Sequence, residues 1–417
     1  MTFASPETIA RPTSDLQRRQ PLRCARRVAV DNSRTVAAYQ GVPRAKSVAP
    51  FGFQALGGER DEADEADSKL IKPTFVRCTC QELAEGELDW LDPESTVLEI
   101  EELAEPAPDV SPFDLMVLKA ARAKGYRLAF DSRLLGKAYA PFVPLASFVV
   151  LDMGVMELDS AAAVARAVHS RTKATPFATQ VTTAAEFGCL ASAGVKLYEG
   201  LWFAQPPATP DRSVRVGYAS LINLMNMVMR EAEIHEIEDL LKREPTLSFK
   251  LLRYINSAGF GRKVEIESFR HAVMTVGMKR LFRWTALLIA GTPAGNIAPA
   301  VGTLAIVRGR TMELLAQETL SPAETDLAFV TGMFSMLDML LNTPIEEALG
   351  LVNLPLSVTD AILHNEGSFA PFLAIAKACE AGDEAPLDGL ALRHELALPR
   401  ILEAHSEALG WAEQFGH

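Results

Sequence analysis

Acidic residues in the first half of this chain close short strand-like runs. Glu99 and Glu101 end the run 95–101, Asp131 ends 126–131 and Asp152 ends 147–152. Carboxylates gathered at one edge of a parallel sheet can hold a hard divalent cation or move a proton during hydrolysis. Sulfur and imidazole offer less. The five cysteines are scattered, and the single close pair, Cys78 and Cys80, lacks the further ligands that zinc requires, so reduced thiols are expected. Among the seven histidines none is followed by an aspartate, and no histidine spacing suits a metal. No metal site and no cofactor are therefore expected from these patterns.

The elements that would position these acids alternate regularly. Strand-like runs at 95–101, 126–130, 147–151, 176–181 and 195–198 are separated by helical patterns at 112–124, 160–172 and 182–193. Short joints between them are the mark of βα units on a parallel sheet. An earlier strand, turn and strand is read over 26–37, and another strand over 74–76. The run 57–69 (GGERDEADEADSK) has no periodicity and reads as a solvated acidic loop. A proline-rich stretch over 206–212 reads as a linker. Beyond it the apolar spacing is helical throughout, at 221–230, 236–242, 247–258, 278–289, 305–315, 324–341 and 372–379. A last stretch, 392–415, is interrupted by Pro399 and reads as either a core-closing element or a dimer contact.

At 417 residues the chain suits two domains. The expected division is an N-terminal tail at 1–20, a barrel domain at 21–207, a linker at 208–213 and a helical domain at 214–417. A formal charge of −12 sets nucleic acid and anionic membranes at a disadvantage, and no run approaches a membrane span. The arginine-rich start is read as a tail, and a cytoplasmic location is expected.

Two stretches carry a resemblance. Residues 36–44 (VAAYQGVPR) and 188–206 (GCLASAGVKLYEGLWFAQP) are similar to the first motif and the closing strand of EAL cyclic di-GMP phosphodiesterases. The runs ending in Glu101, Asp131 and Asp152 fall between them in the family's order. The resemblance implies an EAL-type (β/α) barrel over about 21–207, with two divalent metals held by carboxylates and an asparagine. Position by position, the motif glutamate is Gln40, the asparagine is Arg77 and the second aspartate of a pair is Ser132. The lysine is Val150, and two late glutamates are Thr179 and Thr182. Arg44, Glu99, Asp131 and Asp152 are retained. The barrel also looks shortened, with about thirty residues between the first motif and the next strand.

Residues 244–258 (EPTLSFKLLRYINSA), 266–281 (IESFRHAVMTVGMKRL) and 330–340 (VTGMFSMLDML) are similar to the signature of HDOD domains, an all-helical fold. Pro245, Asn256, Ser257, Gly277 and Trp284 carry that match as structural or contact residues. An EAL-like barrel followed by an HDOD domain, with YuxH-like regulators as the pattern, implies a bacterial signalling protein. With so many acids lost, the expectation is that the chain is no enzyme. It would act instead through protein partners in cyclic di-GMP-related regulation of motility, biofilm or stress, with a homodimer as one form. Cyclic di-GMP or another nucleotide bound at the barrel rim is the alternative, and a residual metal-dependent phosphodiesterase is the second.

Overall fold

The computed structural model describes residues 26–41, 72–101, 103, 112–205, 217–255, 273–274, 277–291, 297–382 and 384–413. The tail at 1–20, Arg44, the acidic run 57–69, the linker 208–213, Asn256 and Ser257 lie outside the described residues.

Eight strands close a barrel in sequence order: β1 (Arg26–Val30), β2 (Val36–Gly41), β3 (Thr74–Cys78), β4 (Thr96–Ile100), β5 (Arg127–Asp131), β6 (Ala146–Asp152), β7 (Thr175–Thr179) and β8 (Leu197–Glu199). β1 runs antiparallel to both β2 and β8, and the other neighbours are parallel. The shortened sequence therefore still yields a closed barrel. Alternation along each strand sends one set of side chains inward. Ala29, Ala38, Phe75, Val97, Ala129, Val150, Phe177 and Leu197 pack there, with Phe75 against Phe177 at 4.6 Å and against Phe148 at 5.0 Å.

Helices α1 (Cys80–Glu85), α2 (Pro112–Ala123), α3 (Leu158–Arg171) and α4 (Ala184–Ser192) join the parallel strands. Capping boxes start two of them, Thr79 with Glu82 and Thr183 with Glu186, each satisfying backbone N–H groups that a helix leaves orphaned. Between β5 and β6 the chain forms two 3-10 segments instead, Ser132–Leu135 and Lys137–Leu145. Pro141 and Pro144 lie inside the second, and each removes an N–H that an α-helix would use.

The second half is helical: α5 (Ala219–Met229), α6 (Ile234–Arg243), α7 (Pro245–Ile255), α8 (Met278–Gly291), α9 (Pro299–Ala316), α10 (Pro322–Phe334), α11 (Leu337–Leu341), α12 (Ile345–Leu349), α13 (Leu356–Leu363), α14 (Ala370–Ala381), α15 (Glu384–Arg393) and α16 (Leu398–Glu413). The helix expected over 324–341 breaks between α10 and α11. Pro399 does not interrupt the last element. It lies in the first turn of α16, where a proline's missing N–H would have had no partner anyway.

β1 and β2 form a hairpin, so no barrel helix covers their outer face. The helical half covers it. Val28, Val30 and Tyr39 share one buried core with Ala408, Leu409 and Ala412 of α16, and Ala300 N at the start of α9 donates to Arg34 O at 3.1 Å. The C-terminal stretch thus closes the core between the two halves. α8 and α9 approach so closely that a Cβ on Gly302 would lie 1.9 Å from Ala290 O. Gly302→Ala is accordingly expected to cost about 3 kcal/mol through forced separation of these helices. Urea unfolding checks this, and an unchanged midpoint would show that the contact yields easily.

Candidate functional site

The same alternation that fills the barrel core sets the residues at its mouth. Two positions beyond the inward Phe75, Val97 and Phe177 stand Arg77, Glu99 and Thr179. Gln40 follows Ala38, Asp131 follows Ala129, Asp152 follows Val150 and Glu199 follows Leu197. On the antiparallel β1, Arg27 precedes Ala29. The C-terminal edge of the sheet is therefore lined by acids, arginines and amides, although the layer beneath it is apolar.

Glu99 is at the centre of the contacts. It is 8% exposed, accepts from Gln40 Nε2 at 2.6 Å and from Arg77 Nε at 3.2 Å. Arg77 also reaches Glu101 at 3.8 Å. Burial raises the Glu99 carboxyl above the usual range, while Arg77 and the Gln40 amide pull it back and Glu101 adds to the rise. Glu199, 2% exposed, pairs with Arg27 at 3.3 Å and accepts from Gln180 N at 2.9 Å. Asp152 accepts from the Gln180 side chain at 2.6 Å and from Gly154 N at 2.9 Å. Asp131 accepts from Arg133 Nε at 2.8 Å and caps the 3-10 segment that follows. Gln40 Oε1 and Thr179 Oγ1 are buried without a hydrogen-bond partner.

The structure thus brings Gln40, Arg77, Glu99, Asp131, Asp152 and Thr179 to one edge. Val150 is an inward core residue, Ser132 begins the 3-10 segment, and Thr182 binds Glu186 at the start of α4. Arg27 and Glu199 were missed by sequence reasoning. The signal for Glu199 was present, since it directly follows the last strand-like run, 195–198, as acids close the earlier ones; Arg27, on an antiparallel strand, carried none. In the helical half Pro245 begins α7, Gly277 adopts φ +76° ahead of α8, and Trp284 is buried.

Residues 218–340 match the HDOD domain family. A closed eight-stranded barrel precedes that match. It is 28% identical over 322 residues to the cyclic di-GMP phosphodiesterase CdgJ of Vibrio cholerae, spanning 77% of this chain and 74% of the relative. It is 25% identical over 238 residues to YuxH of Bacillus subtilis, spanning 56% of this chain and 58% of that one. Among solved structures, BlrP1 of Klebsiella pneumoniae in its manganese and cyclic di-GMP complex overlays 44% of this chain and 55% of its own. The identity there is 20% and the TM-score 0.31, a likeness that carries no argument about the site.

The expectation that this chain is no enzyme is corrected by its similarity to CdgJ, because that relative is named a phosphodiesterase. The physical slip is identifiable. Counting lost acids measures the affinity for metal ions, not turnover, and the count overlooked Glu199.

The metal pair implied by EAL resemblance does not fit the residues present. Glu99, Glu199, Asp131 and Asp152 each already face an arginine or an amide donor. Among the described residues no three His, Cys, Asp or Glu side chains gather as a metal would need. The unpartnered Gln40 Oε1 and Thr179 Oγ1 are neutral, too weak to offset two divalent charges.

Proposed function

We propose that this chain is a phosphodiesterase of cyclic di-GMP signalling, and that the barrel mouth is where the dinucleotide is cleaved. The observation that carries this reading is the relationship to CdgJ, which runs through both halves of the chain. The mouth geometry supports it. Arg77, fixed by Glu99 on one side and Glu101 on the other, offers its remaining N–H groups to a phosphodiester oxygen. Glu99, with its carboxyl raised by burial, takes a proton from the attacking water. The new bond joins the water oxygen to phosphorus, one P–O ester bond breaks, and the departing ribose oxygen takes up a proton. The product is the linear dinucleotide.

The barrel domain is taken as 21–207 and the HDOD-bearing domain as 214–417. Exposed apolar side chains of the latter, Phe249, Leu356 and Leu392, supply contact points for protein partners. No helix among the described residues is long and apolar enough to cross a membrane.

Calorimetric titration of the whole chain with cyclic di-GMP tests the recognition step. Removing one charge-assisted contact with Arg77→Ala is expected to weaken binding about tenfold or more. Equal affinities in the two proteins, or no binding by the unaltered chain, would remove the mouth as the ligand site.

A further inference from the structure

β1 and β2 carry paired residues that look in opposite directions. Arg27 and Gln40 are register partners, and both face the mouth, where they hold Glu199 and Glu99. Their immediate neighbours face outward onto α16. Tyr39, 1% exposed, donates its hydroxyl to Glu413 Oε1 at 2.9 Å. Arg26 Nη2 donates to Ser406 Oγ at 3.3 Å, and the carbonyl of Arg26 lies 3.4 Å from Nε2 of the buried His405.

α16 is gripped on its other side as well. Arg310 of α9 bonds Glu407 at 2.6 Å and lies 5.5 Å over the Trp411 ring, which Arg283 of α8 also approaches at 5.2 Å. One strand pair and one helix therefore connect the mouth acids to the interior of the HDOD domain, with a polar contact at each joint. A shift of Gln40 or Arg27 cannot be absorbed within a single residue, because the adjacent Tyr39 and Arg26 share its peptide planes and are themselves anchored.

We propose that β1 and β2 couple the barrel mouth to α16, so that a change at Glu99 or Glu199 is registered by the HDOD domain through Tyr39 and Arg26. The inference goes beyond the phosphodiesterase reading and needs no particular ligand. Any event that alters the mouth acids would alter the hold on α16, which gives the helical half a means of reporting the state of the barrel to a partner protein.

Amide hydrogen exchange on the whole chain tests it without a ligand, so its failure is separate from failure of the cyclic di-GMP reading. Glu99→Ala removes the partner of Gln40 and Arg77. In that variant the amides of 398–413 are expected to exchange roughly fivefold faster, the size of one hydrogen bond's contribution. Tyr39→Phe alone should quicken the same amides, and Glu99→Ala added to it should bring little more. Residues 112–123 of α2 serve as the reference for global stability. Faster exchange confined to the barrel strands would overturn the coupling, and so would a uniform rise that includes α2.

Discussion

Replacing Arg308 by leucine is expected to lower the stability of the helical half by about 3–5 kcal/mol, because it leaves a carboxylate buried without its cation. Arg308 on α9 grips Glu380 of α14 through two bonds, Nε to Oε1 at 2.8 Å and Nη2 to Oε2 at 2.6 Å. Its third nitrogen donates to Ser335 Oγ at 2.7 Å, at the break between α10 and α11. The side chains of Arg308 and Glu380 are only 10% and 4% exposed, so water cannot take over when one is removed. Replacing both, Arg308→Leu with Glu380→Leu, should recover much of the loss, since no lone charge then remains. Urea denaturation of the three proteins measures this. A double variant as unstable as Arg308→Leu would mean that the pair contributes by shape rather than by charge.

The second large effect concerns turnover. Glu99→Gln keeps the size of the side chain and its contact with Arg77 or Gln40 but removes the base. The hydrolysis rate is expected to fall by roughly 10²–10⁴-fold, the usual contribution of a positioned general base. The raised Glu99 carboxyl fixes the sign of the pH dependence. A base works when ionised, so the rate should climb as pH rises through its elevated value and should be flat in the variant. Initial rates of linear dinucleotide formation across that range, with binding measured in parallel, separate a lost base from a lost site. A variant rate within about twofold of the unaltered chain would remove Glu99 from the chemistry.

Much of this architecture could be read from residue order. Strands ending in Glu101, Asp131 and Asp152 were plain because β-branched runs and acids recur at regular intervals, and the helical half was plain from its apolar spacing. The failures have local causes. The stretch between β5 and β6 gave no reading, because Pro141 and Pro144 break any regular pattern where the chain forms 3-10 segments. Pro399 looked like an interruption because a proline inside a helix and one in its first turn are identical in sequence; only the position of the helix start distinguishes them.

The site was legible as a set of positions but not as a set of contacts. Arg77 could be read as the residue at the asparagine position, and the structure supplies the detail that it is bonded to Glu99. Glu199 and Arg27 come from strands that meet across the barrel's closure, and nothing in a linear sequence places β1 beside β8 until the barrel is closed. The joining of the halves was hidden for the same reason. Tyr39 and Glu413 are separated by almost the whole chain, yet their contact follows once a helix-free hairpin leaves an outer face to be covered.

Incubating the whole chain with cyclic di-GMP, with chromatographic separation of the products, addresses the central claim most directly. Accumulation of the linear dinucleotide by the unaltered chain, absent with Glu99→Gln, is the expected result. Intact cyclic di-GMP after prolonged incubation with the unaltered, folded chain would contradict it.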